Sequence, residues 1–360
     1  VKYAINAILP DFHSEEEMIR KFRDHMSLFL GCKYMIPVVN GTIALEVALR
    51  GLGLKRGDFV IVPDISFIAT ATAVANCGLI PLFADVSVEY FGLTLEALQH
   101  RMCEKVKAVI LVHFSGFMNR QISEITEYCR KHGVALVEDC AQALSCSAYG
   151  VKAGTFGDAG SFSFQSSKII SSGEGGLIST HNELLAAECE AISDWGLSPA
   201  LDGRKLDIAS SNFRLSAIQC YFLSKQMQAL DRILADRLEC CAELEEACEK
   251  MGVESHLPKP KTAFYDCPFF FPVKSSRKLN TVEPREESPM HRSTIVPSIL
   301  NQFYPDLLHI YLQANSPALF DDFMSNKIIA DIDFINIHQA AGMSADHIIC
   351  NYKESIPCRM

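Results

Sequence analysis

Residues 134–176 read VALVEDCAQALSCSAYGVKAGTFGDAGSFSFQSSKIISSGEGG, and their reading decides the fold. Val134–Val137 is a short apolar run, the pattern of a strand buried on both faces of a parallel sheet. It delivers two carboxylates, Glu138 and Asp139, at its carboxyl end, where open α/β sheets place their ligands. Further on, Lys168 sits among the hydroxyls of Ser163, Ser166, Ser167, Ser171 and Ser172. Gly173, Gly175 and Gly176 come next, giving a flexible or tightly turned loop. Asp158–Phe164 and Gly176–Ser179 read as strands bracketing that loop.

Upstream, short apolar runs alternate with amphipathic stretches. Strands are expected at Ile36–Val39, Phe59–Val62, Pro81–Ala84, Ala108–His113 and Val134–Glu138. Helices are expected at Thr42–Leu52, Ile68–Cys77, Thr94–Cys103 and Ile122–His132, with Leu45, Ala48, Leu49 and Leu52 on one face of the first. This alternation predicts βα units around a largely parallel sheet. Asn182–Ser193 reads as a capped helix, and Ser14–Leu30 as another. Ser216 to about Met251 reads as one long, charge-laced helical stretch of the kind that bridges domains or lines a subunit interface. FYDCPFFFPV, 264–273, reads as a strand opening a smaller C-terminal α/β domain, and the chain is loop-like after Ser275. The expected organisation is an N-terminal helical segment 1–33, a large domain 34–251 and a small domain 252–360.

Three features carry chemistry together. A lysine amine can condense with an aldehyde cofactor, and a buried carboxylate can keep a pyridine nitrogen protonated. Asn40-Gly41-Thr42 turns from a strand into a helix, whose free amides and dipole favour a phosphate. Pyridoxal phosphate needs all three. Each feature alone has a plainer reading. The turn suits an ordinary N-capped helix, Asp139 a cap or ion pair, and Lys168 a solvated loop. Glu138 alternates to the other side of its strand and suits a structural role; His113, at a strand end, suits one too.

Composition bounds the rest. The 360 residues carry a formal net charge of −10, which argues against a nucleic-acid partner. No apolar run is long enough to span a bilayer. No signal-peptide pattern is visible, and Val1–Pro10 reads as the interior of something longer. The fourteen cysteines contain no C-x-x-C and mostly fall in apolar patterns. Reduced, buried thiols in a cytoplasmic protein are expected, with no metal site.

From Tyr34 to Met227 the chain resembles the DegT/DnrJ/EryC1/StrS family of pyridoxal-phosphate aminotransferases of sugar and aminocyclitol biosynthesis. These have the aspartate-aminotransferase type, fold type I, architecture. The resemblance rests on NGTIALEVALRGLGLKRGDFVIVP, ISFIATATAVANCGLIPLFADV, VHFSGF, VEDCAQA, GDAGSFSFQSSKIISSGEGGLIST and SNFRLSAIQ, in the family's order. It implies that Lys168 is the Schiff-base lysine and Asp139 the carboxylate on the pyridine nitrogen. Gly41 and Thr42 match the phosphate-binding turn, helped by Ser163. Phe67 matches the aromatic that stacks on the ring, and Gln142 a residue near the ring hydroxyl. Asn212, with Arg214 close after it, matches an asparagine given to the phosphate of the neighbouring subunit, so a homodimer with shared sites is expected. The segment DISFIAT departs from the Thr- or Pro-rich form common there, and no sugar-site pattern is recognisable beyond Ser275.

The resemblance implies transfer of an amino group from glutamate or glutamine to a keto-sugar nucleotide or keto-cyclitol. Relatives that remove oxygen carry His at the lysine position, so Lys168 disfavours dehydration. Another reaction on the same scaffold, whether dehydration, aromatisation or carbon–carbon bond formation, stays open as the alternative. So does a non-catalytic regulator, against which an intact Lys168 argues.

Overall fold

The computed structural model describes residues 9, 11–197, 209–274, 307 and 310, and the backbone of Ile332–Asn336. The strands, in chain order, are β1 (Tyr34–Val38), β2 (Phe59–Pro63), β3 (Ile80–Ala84), β4 (Val106–Val112), β5 (Ala135–Asp139), β6 (Ser147–Ala148), β7 (Val151–Lys152), β8 (Ala159–Ser163), β9 (Gly176–Thr180), β10 (Phe264–Tyr265), β11 (Phe270–Lys274) and β12 (Ile332–Asn336). The helices are α1 (Glu15–Leu30), α2 (Gly41–Gly51), α3 (Ala69–Asn76), α4 (Leu95–Arg101), α5 (Ile122–His132), α6 (Glu183–Ser193), α7 (Ala217–Met227) and α8 (Leu230–Met251).

A seven-stranded sheet runs in the order β1-β9-β8-β5-β4-β2-β3. The pairs β2–β3, β2–β4, β4–β5 and β5–β8 are parallel, and β9 is antiparallel to both its neighbours. The fold is therefore α/β with a mostly parallel sheet flanked by helices, as the alternation predicts. The central strands are the continuous apolar runs: every residue of β2 and β3 is buried. α2 buries Ala44, Leu45, Val47, Ala48 and Leu49, the expected face with Leu52 left at its end. Full burial of one Leu or Val side chain contributes about 1.5–3 kcal/mol, so such a face fixes a helix against the sheet. α1 is closed by a Ser14 cap at one end and Gly31 at φ 67° at the other, and buries Met18, Phe22, Met26 and Leu30.

Two expectations need correction. The stretch Ser216–Met251 is two helices, broken at Gln228-Ala229, where Ala229 leaves the helical region at φ −106°, ψ 8°. α7 buries Ala217, Cys220, Tyr221, Leu223 and Ser224; its main stripe, through 217, 220, 221 and 224, would reach Asp231 if continued at 3.6 residues per turn. The apolar stripe of α8 instead starts at Leu230 and runs through Leu234, Cys241, Leu244 and Cys248. One residue of offset is about 100° of rotation, and the break supplies it. FYDCPFFFPV is also not one strand. Phe264–Tyr265 pairs with β6, Phe270–Lys274 pairs with β12, and residues 266–269 turn between them.

The boundaries 1–33, 34–251 and 252–360 stay an expectation, and most of the small domain lies outside the described residues. Among the described residues twelve cysteines are free, nine of them buried. Burial pushes the thiols of Cys77, Cys129, Cys220 and Cys241 up to about 12, which keeps them protonated and inert. Among the described residues no helix is long and apolar enough to cross a membrane.

Candidate active site

Each parallel strand that ends near the middle of the sheet hands one residue to a single cavity of about 500 Å³ at their carboxyl ends. Gly41, Thr42, Phe67, Asp139, Gln142, Ser163 and Lys168 all line it. Asn212 does not line it; it is exposed on the surface, where its Oδ1 accepts from the Arg214 N–H at 3.2 Å. Arg214 pairs there with Asp194.

One end of the cavity is built by β1 and α2. Asn40 caps the helix by accepting the Ile43 N–H at 2.9 Å. Gly41 and Thr42, at the helix start, carry amides that an α-helix leaves without intrahelical partners. A Cβ on Gly41 would lie 2.8 Å from Ser163 Cβ, so glycine is what allows the helix start to approach β8.

Asp139 ends β5 and is 6 % exposed. Its Oδ2 accepts from Thr70 Oγ1 at 2.9 Å and its Oδ1 from the Ala141 N–H at 3.1 Å. Burial raises its pKa above the ordinary carboxylate value, against the pull of those two donors and of Lys168 and His113. A carboxylate has about four acceptor sites, so capacity remains toward the cavity.

Lys168 lies in the turn between β8 and β9. The turn is tight. Ser172 N donates to Phe164 O at 3.1 Å, Phe164 N to Gly175 O at 2.7 Å, and Ser171 Oγ to Phe164 O at 3.2 Å. Gln226 of α7 clamps it from outside, bonding both the N–H and the O of Ser171 at 2.9 and 2.7 Å. Ile169 and Ile170 are buried, which seats the lysine beside them. Its Nζ lies 4.6 Å from the centre of the Phe269 ring. Burial lowers the lysine pKa, and the nearby Asp139 charge opposes that shift. The amine is thereby brought nearer to a nucleophile's working range.

Phe67 is 62 % exposed at the cavity rim, so it is not a core residue. Gln142 Oε1 accepts the Ser115 N–H at 2.5 Å. His113 and Glu138 are both fully buried, and His113 Nε2 lies 2.9 Å from Glu138 Oε2. Glu138 also accepts the N–H groups of Gly154, Phe156 and Gly157 at 2.9, 2.7 and 2.9 Å. His113 Nδ1 accepts the Asn119 N–H at 3.1 Å, so Nε2 carries the proton and donates to Glu138. His113, Glu138 and Cys140 cluster closely enough to suggest a metal site. The lone pairs a metal would need are already taken by N–H donors, so the pair is structural.

Sequence reasoning missed Ser66, Thr70, Phe269 and Phe270. Ser66, Phe269 and Phe270 line the cavity, and Thr70 bonds Asp139 from behind. Phe269 ends the connection 266–269 and Phe270 begins β11. That segment is held by Phe269 N to Ser115 O at 2.6 Å, Cys267 N to Gly116 O at 3.0 Å and the Arg120–Asp266 pair at 2.5 Å. Gly116 stands at φ 79°, where a Cβ would meet Cys267 O at 2.0 Å. Arg237 of α8 donates to Pro268 O at 3.1 Å.

A model of the DegT/DnrJ/EryC1/StrS aminotransferase family matches residues 3–296. The chain is similar to a GDP-perosamine synthase of Vibrio cholerae, 32% identical over 223 residues, which are 61% of this chain and 60% of that protein. It is similar to an L-glutamine:2-deoxy-scyllo-inosose aminotransferase of Streptomyces fradiae, 34% identical over 243 residues, 65% of this chain and 57% of that protein. The chain thus spans less than two thirds of the length of these curated relatives. A solved E. coli GDP-4-keto-6-deoxy-D-mannose-3-dehydratase with bound hydrated PLP shares the fold, with a TM-score of 0.74 over 99% of this chain and 96% of that one at 19% identity. With its sheet order, its lysine turn and a family match over most of its length, the chain belongs to the DegT/DnrJ/EryC1/StrS aminotransferase family.

Proposed function

We propose that the protein is a pyridoxal-phosphate-dependent aminotransferase acting on sugars, which moves an amino group from glutamate or glutamine to the keto group of a sugar nucleotide or cyclitol. The observation that carries this reading is the convergence of a buried carboxylate, a desolvated lysine amine and a helix N-terminus on one cavity. The residues present fit the cofactor. Asp139 has unused acceptor capacity in a site too buried for an uncompensated charge, and a ring N–H cation supplies the compensation. Gly41 keeps the helix start open to a phosphate, with Thr42 and Ser163 beside it.

Bound there, pyridoxal phosphate supplies an aldehyde for the amine and a ring that takes up electrons from the carbon next to nitrogen. Lys168 would hold the cofactor through its amine. Its free amine would be the group to take and return a proton at the carbon next to nitrogen. Its lowered pKa suits both halves of that task. Asp139 keeps the ring nitrogen protonated throughout. Phe67 would cover one face of the ring, and Gln142, fixed by Ser115, would be the residue for the ring hydroxyl.

The amino acceptor is read from the relatives. One is named for an amino sugar attached to GDP, the other for an inosose with glutamine as donor. These names support a keto-sugar nucleotide or keto-cyclitol as acceptor and an α-amino acid of the glutamate or glutamine type as donor. Two copies of the chain complete each site. Support comes from Asn212, which is exposed and away from its own cavity. Phe67, Ile218 and Phe222 are exposed apolar residues that a partner would cover.

The test starts with purified protein given pyridoxal phosphate. It should turn yellow, lose that colour on addition of glutamate or glutamine, and regain it with the right keto acceptor. A protein that binds the cofactor but is bleached by no amino donor would overturn the aminotransferase reading.

A further inference from the structure

Thr70 stands on the first turn of α3, directly behind Asp139. Its Oγ1 lies 2.9 Å from Asp139 Oδ2 and 2.6 Å from Ser66 Oγ. Both hydroxyls are out of reach of water, with Thr70 0% and Ser66 1% exposed. The direction of this chain is set by the charge at its end. An ionised carboxylate only accepts, so the Thr70 hydroxyl donates to Asp139 and the Ser66 hydroxyl donates to Thr70.

The same two residues close a turn. Thr70 N donates to Phe67 O at 3.1 Å, while Ser66 and Thr70 join side chain to side chain. Phe67 sits between these two ties, at the cavity rim. The helix makes no side-chain N-cap of its own here, so the Ser66 hydroxyl is spent on Thr70 instead.

We propose that Thr70, backed by Ser66, is a positioning residue that aims the Asp139 carboxylate into the cavity and ties it to the turn carrying Phe67. This rests on the reading of Asp139 as partner of the ring nitrogen and Phe67 as partner of the ring face. Two contacts to one ring, at its edge and on its face, are then set by a single helical turn. Loss of the Thr70 hydroxyl leaves Asp139 the Ala141 N–H as its remaining donor. Oδ2 is then free to turn from the ring, and the charge is less well supported.

The test compares two ligands that need no bond to Lys168: pyridoxamine phosphate, and its analogue with the ring nitrogen replaced by C–H. Binding is measured by calorimetry on cofactor-free protein. Wild type should prefer the nitrogen-bearing ligand, and Thr70→Val should lose about 10-fold of that preference, the scale of one hydrogen bond to a charged group. Thr70→Ser, which restores the hydroxyl, should recover it. Should Thr70→Val fail to fold, Ser66→Ala carries the same test, with a loss of about 3-fold for an unsupported neutral donor.

A wild-type preference that survives both Thr70→Val and Ser66→Ala would overturn the role of Thr70 alone. A wild-type protein with no preference, unchanged by Asp139→Asn, would overturn the ring-nitrogen reading of Asp139 and this proposal with it. Equal weakening of both ligands by Thr70→Val would mark the residue as merely structural.

Discussion

Glu138 and Asp139 are adjacent carboxylates at the end of β5, both buried, yet Glu138 accepts four hydrogen bonds and Asp139 two. Strand alternation sends them to opposite sides. One side holds a ring of backbone N–H groups and His113; the other holds the cavity. Identical chemistry is thereby split into a structural group and one left partly unsatisfied.

Glu138→Gln should destabilise the protein. Its amide would set N–H groups against the N–H of Gly154 or of Phe156 and Gly157, and His113 cannot switch its proton because Nδ1 already accepts from Asn119. A loss of at least about 2 kcal/mol is expected from the stranded donors. Urea denaturation of the cofactor-free protein measures it, and an unchanged midpoint would contradict the network.

Asp139→Asn should do the reverse in cofactor-free protein. The amide can accept from Ala141 and donate to Thr70, with no charge to bury. The wild-type pKa is raised by burial, so the native state binds more protons than the unfolded chain between the unfolded value, near 3.8, and the raised folded value. Wild-type stability therefore falls as pH rises through the folded pKa. The variant should melt higher than wild type at neutral pH, and the gap should shrink on acidification toward 3.8. With cofactor and substrates, the same variant should lose on the order of 10²-fold in turnover. Steady-state assays and thermal melts check the two halves separately.

Borohydride should fix pyridoxal phosphate onto Lys168, and a peptide map should find the adduct there. The lowered pKa of its amine has a second consequence. In cofactor-free protein, Lys168 should be modified by an amine-directed reagent at a pH where the exposed lysines are still protonated. Mass spectrometry after limited labelling reads the order of reaction; Lys168 reacting last would contradict its place in the cavity.

Gly116→Ala should loosen the segment that brings Phe269 and Phe270 over the cavity. The new Cβ would collide with Cys267 O at a backbone conformation that disfavours a side chain. Strain of about 1–3 kcal/mol is expected from the φ alone. Cofactor binding should survive, since Gly41, Thr42 and Asp139 are untouched, while KM for the amino donor rises. An unchanged KM would place the segment outside the substrate path.

Mixing Lys168→Ala with Asn212→Ala, under conditions that exchange subunits, tests the shared site. In a mixed dimer one site carries both lesions and the other neither. Activity at limiting cofactor should rise above that of either parent. No recovery after proven exchange would keep Asn212 out of the partner's site.

The features legible in the chain are the local ones. A strand of four apolar residues ending in two carboxylates, a lysine before a glycine-rich turn, and an Asn-Gly-Thr helix start each declare themselves within a few residues. The cavity joins these positions because carboxyl strand ends meet there regardless of sequence distance. Thr70 gave no signal, because ATATAVAN reads as a small-residue helix and its partner is 69 residues away. Phe269 and Phe270 looked like strand interior, since FFF fits a strand and only the contacts to Ser115 and Gly116 show the turn before it. The break at Ala229 had no Pro or Gly to announce it; it shows only as a phase slip in the apolar stripe. Most positions after Ser275 lie outside the described residues.

β9 runs against the strands on either side of it, and that reversal decides where residue 168 can stand. A parallel successor to β8 would have sent the chain across the sheet through a helical crossover, with residue 168 somewhere along it. Because β9 turns back, residues 164–175 form a loop between adjacent strands beside the cavity, held from outside by Gln226. The side chain at position 168 is thereby set by a loop whose ends are neighbouring strands, with no crossover between them. The loop that carries Lys168 is thereby a local insertion between two neighbouring strands, and changes in it leave the order of the sheet as it is.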